Sequence, residues 1–273
     1  MKIDLLEILE KVKQLALKVG EFQSEQRKTF SIDFVESKHS HDYVSYVDKE
    51  SEKMIVSYLK EILPDAGFIT EEKTVVQNAE TAEYSWIVDP LDGTTNFIHD
   101  LGPWCVCIAL QNKEEYLLGV VYEVTRKELF FASKDNGAWR QSSNGELSKL
   151  QVSKIEDIDQ ALIMVGYPYN AEEYRDFCMK ISGSLYGHCA SIRSYGSAEA
   201  ELCYLAAGRI DIYFESFIQP WDVAAGAAII QEAGGKLSDY DGKDDNWKNG
   251  LQVLATNGLL HKAILSEIQK HKP

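Results

Sequence analysis

No apolar run in this chain approaches the roughly 18 residues of a membrane span. The opening residues, Met1-Lys2-Ile3-Asp4-Leu5, lack the uninterrupted apolar stretch of a secretion signal. A membrane or exported location is therefore not expected. Basic residues are also scarce: 28 Lys and Arg against 43 Asp and Glu leave a net charge of −15. That balance argues against a nucleic-acid partner and against an anionic membrane surface, both of which need basic patches. It does not exclude an anionic small molecule, because bound divalent cations invert the local field. Cysteine is sparse and odd in number. The five thiols (Cys105, Cys107, Cys178, Cys189, Cys203) lie in apolar surroundings and form no Cys-x-x-Cys pair. They read as reduced core residues of a cytoplasmic protein. Internal repeats, low-complexity tracts, the G-x-x-x-x-G-K-[ST] phosphate loop and the G-x-S-x-G elbow are missing as well. His39-x-His41 has no third ligand at zinc spacing, and Asp239–Asp245 has its glycine too early for a calcium loop.

What is present is the composition of a soluble globular chain, 45% hydrophobic and 26% charged over 273 residues. Residues 3–19 carry a helical apolar stripe, and a second amphipathic helix is predicted over 49–62, before Pro64. Between them, residues 31–47 read as irregular with a strand at 43–47, and a short strand at 68–70 ends at Glu71-Glu72. Strand-like runs at 104–110, 116–124 and 128–133 suggest an antiparallel meander. The second half alternates: strand 161–166, helix 171–182, helix 197–207, strand 210–214, helix 222–233, strand 251–256 and helix 259–270. This mixture predicts a layered α and β architecture. The chain reads as a single unit, 1–273, with a composition shift that separates approximate sub-domains 1–145 and 146–273.

The stretch Trp86-Ile87-Val88-Asp89-Pro90-Leu91-Asp92-Gly93-Thr94-Thr95-Asn96 is the most informative. A buried strand runs into Asp-Pro-Leu-Asp, the chemistry of a tight turn that brings two carboxylates together around the Leu91 carbonyl. Hard cations such as Mg²⁺ take all-oxygen sites of this kind. A helix beginning at Gly93-Thr94 would set free N–H groups beside them as an anion pocket. Asp-Pro and Asp-Gly are also ordinary turn dipeptides. In the same way Glu71-Glu72 alone is a solvated acidic pair, Asp222 is well placed as a helix N-cap, and Asp48 can cap the helix after Val47. Ala224, Ala225 and Gly226 allow close packing of their helix.

Taken together, five segments resemble the inositol monophosphatase family of Mg²⁺-dependent phosphomonoesterases. They are Val44-Ser45-Tyr46-Val47-Asp48, Thr70-Glu71-Glu72, Asp89-Pro90-Leu91-Asp92-Gly93-Thr94-Thr95-Asn96-Phe97, Gly196-Ser197-Ala198 and Trp221-Asp222-Val223-Ala224-Ala225-Gly226. The resemblance implies a mixed α/β (α+β) fold, the layered αβαβα sandwich of the inositol monophosphatase and fructose-1,6-bisphosphatase type. It implies hydrolysis of a sugar or inositol phosphate by metal-activated water, with two or three Mg²⁺ per site, lithium sensitivity and a homodimer. Glu71, Asp89 and the Leu91 carbonyl would hold the first metal, and Asp89, Asp92 and Asp222 the second, with Glu71 reaching a third ion through water. The Gly93 and Thr94 amides would cradle phosphate. Thr94, hydrogen-bonded to Asp48, would orient the water, making Glu71, Thr94 and Asp48 the catalytic set. Ala198 and Glu215, with Asp92 and Asp222, would contact the substrate, and Lys38 falls in a mobile loop over the site. Physics agrees: Glu71, Asp89, Asp92 and Asp222 in one cleft repel unless cations or protons neutralise them. Glu199, Tyr195 and a shortened loop at His39-Ser40-His41 depart from the family pattern, which puts substrate identity in question. Fructose 1,6-bisphosphate, 3′-phosphoadenosine 5′-phosphate, or a silent metal-dependent binding role are the alternatives.

Overall fold

The computed structural model describes residues 3–39, 42–168, 171–243, 246–249 and 251–272. Helix α1 (Leu5–Arg27) opens on Asp4, whose carboxylate accepts from the Leu6 and Glu7 amides. It runs well beyond the apolar stripe that announced it, because its last turns bury the polar Gln23 instead of an aliphatic side chain. A hairpin, β1 (Val35–His39) and β2 (Asp42–Ser45), occupies the segment expected to be irregular. Helix α2 (Tyr46–Ile62) then starts three residues earlier than its pattern suggested. The cause is a capping box: the Val47 amide donates to Ser45 Oγ, and the Ser45 amide donates to Asp48. That box draws Tyr46 and Val47 out of the strand predicted there and into the helix.

Next comes a seven-stranded sheet, β3 (Gly67–Thr70), β4 (Ser85–Asp92), β5 (Cys105–Gln111), β6 (Tyr116–Glu123), β7 (Glu128–Ser133), β8 (Ala138–Gln141) and β9 (Leu147–Lys149), ordered as in sequence. Only the β3–β4 pair is parallel; the rest is the predicted antiparallel meander, lengthened by β8 and β9. A short helix, α3 (Thr94–Ile98), interrupts it. The remainder, β10 (Leu162–Gly166), α4 (Ala171–Leu185), β11 (Ser191–Arg193), α5 (Ala198–Ala206), β12 (Ile212–Ser216), α6 (Ala224–Glu232), β13 (Lys236–Ser238), β14 (Gln252–Thr256) and α7 (His261–His271), builds a mixed sheet of order β11-β10-β12-β14-β13. Strands β9, β11 and β13 span three residues each, too short for alternation to register in the sequence.

Three cores define the layers. Val12, Leu15 and Val19 of α1 and Ile55 and Leu59 of α2 pack on Val106, Ile108 and Leu110, one face of the first sheet. Its other face, with Cys105, Cys107 and Ala109, meets α5 and α6, which lie between the sheets. Helices α4 and α7 cover the far face of the second sheet through Phe177, Ile181, Ile264 and Ile268. The architecture is thus an αβαβα sandwich. Helix α6, Ala-Ala-Gly-Ala-Ala-Ile-Ile-Gln-Glu, is apolar nearly all round because both its sides are buried. It lies so close to β6 that a Cβ on Gly119 would stand 2.3 Å from the Ala225 carbonyl oxygen. All five cysteines are free, and Cys105 and Cys107 share one face of β5 as expected. No described helix is long and apolar enough to cross a membrane.

Candidate active site

Strand β4 is buried along its whole length and does not end at Asp89. Asp89 pairs with Cys107 and Asp92 with Cys105, so β4 carries one residue more than its partner between these points. The tight turn expected at Asp89–Asp92 is therefore a β-bulge. Pro90 fits there because it has no ladder hydrogen to give. The bulge has its own supports. The Leu91 amide donates to Asp89 Oδ1 at 2.9 Å, and the buried Gln23 of α1 donates to the Pro90 carbonyl at 2.6 Å. Gly93 follows in the left-handed region, φ +94°, which turns the chain into α3. The expected helix start at Thr94 is present, and its first-turn amides have no partner within the helix.

Asp92 reaches across to the second half of the molecule. Its carboxylate accepts from Ser197 Oγ (2.6 Å), the Ala198 amide (3.2 Å) and the Glu199 amide (2.9 Å), so it caps α5 from another element. Glu199 repeats the device one layer deeper. Its buried carboxylate accepts from the Ala225 and Gly226 amides at the start of α6. It therefore does not reshape the substrate side of the pocket, as its departure from the family pattern had suggested. The same contact corrects the N-cap reading of Asp222. Asp222 ends a 3₁₀ turn, Pro220–Asp222, and accepts from the Gln219 amide at 2.9 Å, while α6 is capped by Glu199.

Asp48 and Thr94 meet as expected. Asp48 is fully buried; one oxygen serves the α2 capping box, and Oδ1 accepts from Thr94 Oγ1 at 2.9 Å. The capping role and the site contact thus coexist in one side chain. Glu71, Asp89, Leu91, Asp92, Gly93, Thr94, Ala198, Glu215 and Asp222 all line a single cleft of roughly 270 Å³. Lys38, expected in a loop, stands instead in β1, at the irregularity between Ser37 and His39; its side chain and His41 lie outside the described residues. Sequence reasoning missed Glu201, Tyr213, Tyr167 and Tyr43, which also line the cleft. Tyr195 is not among the described lining residues; its amide donates to Glu201, and its carbonyl accepts from Asn96. For Glu201, the available signal was two acids, Glu199 and Glu201, in one first turn of α5.

The electrostatics are those of an overcrowded carboxylate cleft. Burial, then the charges of Glu71, Asp92 and Asp222, push the Asp89 carboxyl well above its ordinary range, and Asp89 and Glu71 share a hydrogen bond. Burial and Glu71 push Asp222 up as well. Asp92 rises only to about 6, because burial is opposed by the Ser197 hydroxyl and the two α5 amides. Among the described residues, no three His, Cys, Asp or Glu side chains stand close enough together to hold a metal ion as they are placed. The four carboxylates instead line one cleft, from the segment that follows β3, from β4 and from the turn before α6. An all-oxygen set of this kind, with room for water, suits a hard cation that keeps part of its hydration.

Two further acids line the cleft, and burial favours their protonated forms. Burial raises Glu201 to about 8, and burial raises Glu215 to about 7 despite a hydrogen bond from Tyr213. A carboxyl whose folded pKa lies above its unfolded value binds more protons folded than unfolded, so stability falls as pH rises between the two. For Glu201 that window runs from its ordinary 4.5 to about 8. In EDTA, the melting temperature of Glu201→Gln should therefore decline less steeply than wild type between these limits. Parallel curves would contradict the assignment.

The chain belongs to the inositol monophosphatase family, whose profile matches residues 4–272. It is 36% identical to the Nus factor SuhB of Escherichia coli over 93% of this chain and 92% of that one. Among solved structures, the extragenic suppressor protein suhB from Bartonella henselae superposes with a TM-score of 0.88 at 30% identity, covering 97% of this chain and 99% of that one. An inositol monophosphatase from Anabaena gives 0.84 at 30% identity, over 99% and 98% of the two chains. The family supports metal-dependent phosphatase chemistry for this chain.

Proposed function

We propose that this chain hydrolyses the monophosphate of a neutral polyol, inositol monophosphate foremost, with Mg²⁺ as cofactor. The observation behind this is the gathering of Glu71, Asp89, Asp92 and Asp222 in one cleft with the Asp48–Thr94 pair. Glu71, Asp89 and the Leu91 carbonyl would hold one ion, Asp89, Asp92 and Asp222 a second, and Glu71 a third through water. Such ions, when bound, supply an activated water and stabilise the leaving oxygen. The chain's own groups do the rest. Thr94 donates its hydroxyl hydrogen bond to Asp48, which leaves a lone pair facing the cleft to accept a hydrogen bond from the attacking water and orient it. The Gly93 and Thr94 amides hold the phosphate oxygens. Ala198, Glu215, Asp92 and Asp222 meet the alcohol portion.

The lining favours a neutral polyol. Among the described residues lining the cleft there is no Lys, Arg or His, whereas Glu201, Glu215, Tyr213, Tyr43 and Tyr167 offer oxygens suited to hydroxyl groups. A second phosphate, as in fructose 1,6-bisphosphate or 3′-phosphoadenosine 5′-phosphate, would meet acidic and phenolic oxygens and no cationic side chain among the described lining residues. Phosphate release should therefore favour inositol monophosphate over either by at least about tenfold in kcat/KM, equivalent to about 1.4 kcal/mol. It should vanish in EDTA, return with Mg²⁺, return partly with Mn²⁺ and be inhibited by Li⁺. Full activity in EDTA, or preference for a bisphosphate, would overturn the proposal. A cytoplasmic homodimer completes it, and light scattering should return about twice the 30.8 kDa chain mass. A second reading draws on the name Nus factor SuhB of the Escherichia coli relative. A non-catalytic binding role for this chain would be the alternative to catalysis. A silent cleft with no phosphate release from any phosphomonoester would favour it alone.

A further inference from the structure

Helix α2 presents two buried carboxylates one turn apart, Asp48 and Glu52. Residues four apart share a helix face. Asp48 reaches Thr94, as described. Glu52, fully buried, reaches the segment that follows β3. Its Oε1 accepts from Thr70 Oγ1 (2.9 Å), the Thr74 amide (2.6 Å) and Thr74 Oγ1 (2.7 Å). Its Oε2 accepts from the Glu72 amide at 2.7 Å. Four donors on one carboxylate satisfy a buried charge that would otherwise be costly.

The donors are arranged around one residue. Thr70 and Glu72 are the immediate neighbours of Glu71, and both are tied to Glu52. Lys73, between Glu72 and Thr74, lies in the left-handed region at φ +52°, and the amides on either side of it converge on the same carboxylate. On the other side, the Glu71 amide donates to the Val88 carbonyl of β4 at 3.2 Å, one residue before Asp89. The Glu71 backbone is thus fastened to β4 directly and to α2 through its neighbours. Glu52 itself is absent from the cleft lining, so it acts on the site only through this segment.

We propose that Glu52 is a positioning residue for metal binding: it fixes the Glu71 backbone opposite Asp89, so that the cleft's affinity for Mg²⁺ depends on a carboxylate that never touches the ion. This rests on the reading of Glu71 as a metal ligand. In Glu52→Gln the side-chain amide sets N–H donors against a segment made of donors, and the Glu71 segment loses part of its anchorage.

The test is Mg²⁺ binding by titration calorimetry on the full chain, beside the Mg²⁺ dependence of phosphate release. Removing a group that supports a metal ligand typically weakens affinity by about 10–100-fold. Glu52→Gln should fall in that range, while kcat at saturating Mg²⁺ stays within about threefold, because the Asp48–Thr94 pair is untouched. A purely structural role would lower the melting temperature in EDTA without moving Mg²⁺ affinity. Placed on Glu71→Gln, the Glu52 change should add little further loss, since both act on one ligand. If Glu52→Gln does not fold, Thr70→Val with Thr74→Val removes two hydroxyl donors and keeps the carboxylate, and a weaker Mg²⁺ affinity is again expected. Unchanged affinity in a folded variant overturns the inference alone. No Mg²⁺ binding by the wild-type chain overturns the metal reading on which it rests.

Discussion

Thr94→Ala should lower kcat by roughly 10²–10⁴-fold, the scale of losing a positioned proton-transfer partner. The size follows from where the hydroxyl stands. Thr94 Oγ1 lies 2.9 Å from Asp48 Oδ1 and 3.1 Å from the Leu91 carbonyl. Both neighbours are acceptors, so the single hydroxyl proton is committed and the oxygen's remaining lone pairs are turned to the cleft. Alanine removes that acceptor and leaves water free to bind in many orientations. The fold should tolerate the change. Asp48 keeps the Ser45 amide and hydroxyl at 2.8 and 2.7 Å, so the start of α2 remains capped. The loss of stability should be about 1 kcal/mol, one net hydrogen bond. Thr94→Ser keeps the hydroxyl and should keep most of the rate. With water as the proposed nucleophile, no phosphorylated Thr94 or Asp92 should accumulate during turnover. Steady-state kinetics with thermal unfolding checks the first point and mass spectrometry of quenched enzyme the second. A Thr94→Ala enzyme with kcat within about threefold of wild type would remove Thr94 from the mechanism.

Much of this site was legible in the sequence because it is local. Trp86-Ile87-Val88 announces a buried strand, and the Asp-Pro-Leu-Asp-Gly-Thr-Thr run sets carboxylates, a carbonyl and free amides within one short stretch. The bulge in β4 was not legible, because it exists only relative to Cys105 and Cys107 on the neighbouring strand. Glu199 was misjudged for a related reason. Its partners are amides of α6, 26 and 27 residues away in the chain, and nothing local in α5 names them. That missing contact also made Asp222 look like the cap of α6. The start of α2 was readable in principle, since Ser45-x-x-Asp48 is a capping box, but the β-branched residues around it favoured a strand reading. Glu52 sits four residues beyond Asp48 on the same face, yet a glutamate in an amphipathic helix ordinarily faces water. Only the packing of α2 on β4, beside Thr70 and the segment that follows β3, turns it inward.

Asp222→Asn is the second substitution with a large expected effect, and it bears directly on whether the cleft is a cation-dependent phosphatase centre. Structurally the change is mild. Asparagine retains an oxygen for the Gln219 amide, which Asp222 now accepts at 2.9 Å. Helix α6 keeps its cap from Glu199. One of four mutually repelling carboxylates is removed, and Asp222 is pushed well above its ordinary range by burial and by the charge of Glu71. The metal-free variant should therefore unfold at or slightly above the wild-type temperature in EDTA. Under the proposed metal assignment the change is chemically severe, because a neutral amide oxygen replaces a carboxylate ligand. The rate should fall by more than about 10²-fold, beyond the range seen for losing an outer supporting group. The deciding measurement is phosphate release by Asp222→Asn in Mg²⁺, set beside its thermal unfolding in EDTA. Collapsed turnover in a protein at least as stable as wild type is the expected result; near wild-type turnover would contradict the cleft's role as a cation-dependent phosphatase centre.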